Sequence, residues 1–268
     1  MMKSLAPRSF LLAAVIAGLA APVIFSNAGA QTVPQSHNTL TAPEKAEGWR
    51  LLWDGRTTDG WRSPKGDYFP TTNWAIKDGE FSIVSDGKGQ SQSGGDIITR
   101  EAFSNFDLTL DFKITPICNS GVKIFVQPNL DIHTGLNGAA GTGSCYGLEY
   151  QILDDDRHPD AKLGHDGNRR EGALYDLLPA GPNKHANAIG EWNHLRIVSH
   201  GRHVEHWLNG EKILEYERGS TEFRAAVAQS KFSQIPHFGE WADGHILLQE
   251  HGSAVSFRDI KLRVLPAD

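Results

Sequence analysis

Two runs of this chain gather residue types suited to moving protons. In Cys145-Tyr-Gly-Leu-Glu-Tyr-Gln-Ile-Leu-Asp-Asp-Asp156, Leu148, Tyr150 and Ile152 alternate with Glu149, Gln151 and Leu153. Strict alternation means a strand with two different faces. One face can meet a core. The other carries a carboxylate and an amide in mid-strand. Glu149 is a candidate general base, or a ligand of a metal electrophile such as a divalent cation. The alternative is a carboxylate on a solvated sheet face, paired with Lys123. Lys123 leans to the same face if its strand neighbours that of Glu149, either as a cation for a developing anion or as a simple ion-pair partner. His251 follows a strand and precedes a Gly turn in Leu248-Gln-Glu-His-Gly252. A histidine titrating near neutrality suits acid–base exchange, although a histidine that caps a loop would look the same. Asn119, at a strand entry, either binds a ligand or makes a local turn bond. Asp154, Asp155 and Asp156 can ligate calcium through oxygens, though such a run is more often a solvated turn.

The elements that would carry these residues are short and alternating. Phe106–Ile114 places Phe106, Leu108, Leu110, Phe112 and Ile114 on one side and Asp107, Thr109, Asp111 and Lys113 on the other. In Gly121–Val126, Val122, Ile124 and Val126 read inward and Lys123 and Phe125 outward. Asp78-Gly79 and Asn209-Gly210 are hairpin turn signals. A helix is expected only near 221–231. Many short strands, repeated Gly turns and little helix predict an all-β sandwich of two antiparallel sheets. The outward face of one sheet, if concave, becomes the binding surface. His206 alternates with Trp207, so only one of the two faces the core, and most of the tryptophans are expected to pack rather than to stack on a ligand.

The first thirty residues read as a secretory signal peptide. Lys3 and Arg8 make a basic start, Phe10–Phe25 is apolar, and Ala28-Gly29-Ala30 is a small-residue cleavage site. Residues 31–47 read as a flexible leader and 48–268 as one domain. The expected product is secreted or periplasmic, without stable membrane insertion. Removing Lys3 and Arg8 from the 26 basic residues leaves 24 against 32 acidic ones, a net charge of −8 with His neutral. That balance argues against nucleic acid as a partner. Cys118 and Cys145 are the two cysteines, and an oxidising compartment makes a disulfide between them the default, with two free buried thiols as the alternative.

The motifs together resemble the 3-keto-disaccharide hydrolase family. The matching residues are Leu51-Leu-Trp-Asp-Gly55, Gly60-Trp61, Trp74 with Asp78-Gly79, Phe106-Asp-Leu108, Asn119-Ser-Gly121, Glu149-Tyr-Gln-Ile-Leu-Asp154, Leu174-Tyr-Asp176, Gly190-Glu-Trp-Asn193, His206-Trp-Leu-Asn-Gly210, Leu248-Gln-Glu-His-Gly252 and Phe257-Arg-Asp-Ile260. They run in order over about residues 48–265. Two positions depart from the family pattern: Glu250 stands where Asp is usual, and Asp259 where Asn is usual. The resemblance implies a concanavalin A-like jelly roll. It also implies a 3-keto disaccharide or glycoside as substrate, supplied by a separate sugar 3-dehydrogenase. A ketone at C3 makes the C2 hydrogen acidic, so the glycosidic bond can break by β-elimination followed by hydration. In that scheme Glu149, His251 and Lys123 are the catalytic candidates, with Lys123 beside an enolate oxygen. Gln151, Asn119, Tyr175 and Asp154 are the substrate-binding candidates. Two other readings stay open. A laminarinase-like hydrolase would carry Glu-x-Asp-x-x-Glu on one strand, which Glu149-x-Gln151-x-x-Asp154 copies imperfectly. A lectin-like binding module would need no catalysis.

Overall fold

The computed structural model describes residues 36–84, 95–131, 133 and 146–267. The expected signal peptide lies outside the described residues. Strands dominate what is described. The larger sheet is built on β6 (Phe106–Ile114) paired antiparallel with β13 (Val255–Val264). From β6 it continues through β9 (Asn193–His200) and β10 (His203–Leu208) to β11 (Glu211–Glu217). From β13 it continues through β4 (Glu80–Ile83) to β3 (Trp74–Lys77), and β1 (Trp49–Leu51) also pairs with β13. The smaller sheet has the order β2 (Trp61–Arg62), β5 (Ile97–Phe103), β12 (Gly244–Leu248), β7 (Asn119–Gln127), β8 (Tyr146–Leu153). The pairs of both sheets are antiparallel. This is the sandwich of two antiparallel sheets that the alternation predicts, and it agrees with the concanavalin A-like jelly roll that the resemblance implies.

The core lies between the sheets. On β6, Phe106, Leu108, Leu110 and Phe112 are fully buried, and each such side chain stabilises the fold by about 1.5–3 kcal/mol. At one end of the core Trp53 stacks on Phe81 with ring centroids 4.3 Å apart, and Phe69, Trp61 and Trp74 surround that pair. Trp49, Trp192 and Trp207 lie instead against arginine side chains of the larger sheet. His206 is the core-facing member of its pair. Its Nδ1 lies 3.0 Å from the Gly172 carbonyl, and burial pushes its pKa down to about 4.

The hairpin signals hold. Asp78 and Gly79 both have positive φ, as do Asn209 and Gly210, which is what a two-residue turn matched to strand twist requires. The helix near 221 is α2 (Thr221–Gln229), capped by the Ser220 hydroxyl accepting from the Phe223 amide.

Three expectations are corrected. First, β7 does not alternate to its end. Phe125 has φ +55 and the β7–β8 register shifts between Ile124 and Gln127. The bulge turns Phe125 into the core against Phe106 and puts Val126 with Ile98 and Leu247, away from the main core. Second, Cys118 is a free, buried thiol. Cys145 lies outside the described residues, but its neighbour Tyr146 pairs with Gln127, at the opposite end of the hairpin from Cys118. That separation is about 25 Å at strand rise, whereas a disulfide needs Cα atoms within about 7 Å. Third, Ser36–Glu47, read as part of a leader that need not be ordered, is docked. The Asn38 amide and His37 bond to Asp259, α1 (Ala42–Ala46) is closed by a Thr41/Glu44 capping box, and Lys261 pairs with Glu44 at 2.7 Å.

Candidate active site

The register of β7 on β8 decides the site. Lys123 stands directly opposite Glu149, and Leu247 of β12 stands opposite Lys123 on its other side. One row across the outer face of the smaller sheet therefore reads Ile98, Leu247, Lys123, Glu149. Lys123 Nζ is 3.6 Å from Glu149 Oε2, with the two side chains only 14% and 7% exposed. A buried carboxylate keeps its charge only with such a partner.

The next row holds Gln249, Gly121 and Gln151. The Gln249 amide donates to the Gly121 carbonyl, and Gly121 pairs with Gln151. Both glutamines are buried, and the side-chain oxygen Oε1 of each has no hydrogen-bond partner among the described residues. Two orphaned carbonyl oxygens on one face are acceptors waiting for donors, because leaving one unmade costs about 1–3 kcal/mol. The missing side chain of Gly121 gives Glu149 its place. A Cβ there would lie 2.5 Å from Glu149 Oε1 and 2.9 Å from its Cγ.

The segment 172–175 runs along the free edge of β8. Gly172 donates to the Gln151 carbonyl, Tyr175 donates to the Glu149 carbonyl, and Leu174 bridges to Tyr150. Tyr175 is thereby carried beside Glu149. Its hydroxyl donates to Asp160 at 3.0 Å, and Arg169 holds both Asp160 (3.2 Å) and Asp176 (2.7 Å). Lys231 reaches in from beyond α2, its ammonium 4.3 Å from the centre of the Tyr175 ring. It is solvent-accessible, yet the protein around it, with Lys123 and Arg169 nearby, lowers its pKa. On the opposite flank, the buried Asp96 accepts from the Glu250 amide at 2.9 Å. Burial pushes its carboxyl up, and Lys123 pulls it back. Glu250 braces this flank, its carboxylate accepting from the amides of Gly95 (3.4 Å) and Gly252 (2.8 Å). The longer acid at this position thus ties β5 to the turn that carries His251.

The fold brings together Glu149, Lys123, Gln151, Asn119 and Tyr175. Asn119 Oδ1 lies 3.5 Å from Gln151 Nε2. His251 adjoins this group through Asp96, with His158 beyond it, and makes no direct hydrogen bond to Lys123 or Glu149. Asp154 stands apart, which corrects its reading as a substrate ligand. Its oxygens accept from the amides of Ile117 (2.8 Å), Asp156 and Arg157. Burial works against its charge, but those amides and the Arg157 guanidinium hold its pKa low. Asp155 is held by Lys184 and Arg170. Asp154 and Asp155 thus belong to a turn with their oxygens already engaged, and the acid that a laminarinase-like triad would need is consumed there.

No further His, Cys, Asp or Glu pair among the described residues is placed to share a cation with Glu149. Glu149 sits beside an ammonium and belongs to no group of three His, Cys, Asp or Glu ligands among the described residues. The groups with that spacing are His37–Asp111–Asp259 and His203–Glu205–Glu215, both ion-paired on the larger sheet.

Asp96, Gln249, Arg169 and Lys231 are absent from the sequence-based set. Gln249 alternates with the core residue Leu248, as Glu149 does with Leu148, so its period-two pattern was a usable signal. Asp96, Arg169 and Lys231 come from segments with no pattern that points to the site.

Residues 48–263 match a family described as the 3-keto-alpha-glucoside-1,2-lyase-like domain. A relative from Bacteroides thetaiotaomicron named 3-keto-disaccharide hydrolase is 36% identical over 240 residues, covering 85% of this chain and 82% of the relative. Two solved structures from Parabacteroides distasonis, both described as candidate glycosyl hydrolases, superpose with TM-scores of 0.71 and 0.60. They are 29% and 28% identical, cover 86% and 81% of this chain, and are themselves covered to 100% and 99%. The chain therefore belongs to the 3-keto-alpha-glucoside-1,2-lyase-like family and is a glycosidase of the hydrolase or lyase type.

Proposed function

We propose that this protein is exported and cleaves the glycosidic bond of 3-keto-glycosides, including 3-keto-disaccharides, by elimination and hydration. The observation that carries the reading is the buried Lys123–Glu149 pair, 3.6 Å apart, beside two amide oxygens that lack donors among the described residues. Glu149, beside the Lys123 ammonium, removes the proton from C2 of the oxidised sugar. The electron pair moves onto the 3-oxygen, where the Lys123 ammonium stabilises the enolate. Collapse of the enolate expels the C1 oxygen with its aglycone and leaves an enone. Water then adds at C1 and gives a proton to His251, and Glu149, having exchanged its proton with solvent, returns one to C2. Net hydrolysis results, and no oxidant is consumed. Gln151 and Gln249 accept from sugar hydroxyls, and Asn119 and Tyr175 line the same surface. The substrate's ketone must come from an enzyme that oxidises the sugar at C3.

Incubation of the protein with a 3-keto-disaccharide and with its unoxidised parent tests this. Cleavage of the oxidised sugar alone is expected, with unchanged rate after chelation and with deuterium at C2 of the product formed in heavy water. Cleavage of the parent alone, or product without deuterium, would overturn the substrate or the mechanism respectively. N-terminal sequencing of the exported protein is expected to begin at Gln31.

A further inference from the structure

The elimination leaves one proton unassigned: the one the departing glycosidic oxygen needs. We infer that Asp96 is the catalytic acid that protonates this leaving oxygen, opposite Glu149 as the base. Asp96 lies two residues before Ile98, whose side chain packs with Leu247 on the outer face of the smaller sheet. It therefore shares the face of Lys123 and Glu149. It is 7% exposed, its only recorded hydrogen bond is the Glu250 amide to Oδ1, and Oδ2 is left without a protein partner among the described residues. Lys123, Glu149 and His251 are its electrostatic neighbours.

The two carboxyl groups sit in opposite environments. Glu149 has an ammonium within 3.6 Å. Asp96 has one backbone amide and is buried, and its burial favours the protonated form against the pull of Lys123 and His251. The buried carboxyl is placed as the acid and the carboxylate beside the ammonium as the base. In the step itself, the bond from C1 to the leaving oxygen breaks as the enolate pair returns. The Asp96 proton passes to that oxygen, and Asp96 is left as a carboxylate. The water adding at C1 gives its proton to His251, which passes it on to Asp96. Glu250, whose carboxylate holds the Gly95 and Gly252 amides, positions the acid without touching substrate.

This inference rests on the proposed 3-keto substrate. The test compares Asp96→Asn with the unaltered protein on a 3-keto-disaccharide and on 3-keto 4-nitrophenyl glucoside, whose phenolate leaves without a proton. Removing a general acid costs roughly 10²–10⁴-fold. A loss of at least about 10²-fold is expected on the disaccharide and less than about 10-fold on the nitrophenyl glycoside. The alkaline limb of the kcat/KM profile for the disaccharide should vanish. Equal losses on both substrates would overturn the assignment. If the variant does not fold, the unaltered protein still decides: across a series of 3-keto aryl glycosides, kcat/KM should depend only weakly on the pKa of the leaving phenol, and a steep dependence would refute acid assistance. Cleavage of neither 3-keto substrate by the unaltered protein would sink the substrate reading along with this one.

Discussion

Gly121→Ala separates the placement of Glu149 from the stability of the sheet. Gly121 sits in regular strand, without the positive φ that makes other glycines of this chain irreplaceable. On the backbone alone, alanine should be neutral or slightly better, by about 0.5–1 kcal/mol. The new methyl would meet the Glu149 side chain at 2.5 Å from Oε1, 2.9 Å from Cγ and 3.0 Å from Cδ. Carbon contacts settle at about 3.5–4 Å, so the carboxylate must retreat by about 1 Å, away from its place beside Lys123. A misplacement of that size costs on the order of 10²-fold in rate, which corresponds to about 2.7 kcal/mol of transition-state stabilisation. Crowding adds a stability cost of about 1–3 kcal/mol, partly offset by the backbone gain. The expected result is a kcat on a 3-keto-disaccharide lowered about 100-fold with a Tm within roughly 5 °C of the parent. Gly147→Ala provides the contrast, since its methyl would strike the Ile124 carbonyl at 2.8 Å and Val126 at 2.7 Å. That change should lower Tm without reaching Glu149 directly. A Gly121→Ala protein with kcat within threefold of the parent would refute the claim that the position of Glu149 governs the reaction.

Lys123→Met should remove the enolate's cation and leave Glu149 uncompensated; steady-state kinetics are expected to show a loss of about 10²–10³-fold in kcat, and an unchanged kcat would make the pair purely structural. Gln249→Leu deletes a buried, unpartnered oxygen; KM should rise about tenfold if a substrate hydroxyl donates to it, while Tm stays equal or rises. Glu171 is fully buried and burial raises its pKa to about 8. The native state therefore holds a proton that the unfolded chain releases near pH 4.5, so this group's contribution to stability is full below that pH and is lost as pH rises to about 8. At 1.36 kcal/mol per pKa unit the loss approaches about 5 kcal/mol. Denaturation of Glu171→Gln at pH 5 and pH 8 should show a flatter profile than the parent, and parallel profiles would count against the shift. Dithiothreitol should leave Tm unchanged within about 1 °C, because a bridge worth about 3 kcal/mol cannot form between the two ends of the β7–β8 hairpin.

Local pattern alone determined much of this protein. The period of two in Phe106–Ile114 and Tyr146–Leu153 decides which side chains share a face, because successive residues of a strand point to opposite sides whatever they pair with. Asp78-Gly79 and Asn209-Gly210 specify their turns because few residues adopt positive φ at low cost. Those signals suffice for the sandwich, and the ordered motifs suffice for the family. Tertiary structure alone decided the rest. That Lys123 faces Glu149 is a matter of register, set by the packing of two strands whose connection carries no regular pattern. The bulge at Phe125 reverses the reading of β7 because core packing of an aromatic ring outweighs the alternation. Cys118 precedes the start of β7 and Tyr146 starts β8, and antiparallel pairing puts those two starts at opposite ends of the hairpin. Asp154, adjacent in sequence to the site, is spent on backbone amides, while Asp96 and Lys231 arrive from remote segments. A catalytic surface is a meeting of distant segments, and the free energy that selects the meeting is spread over the whole core.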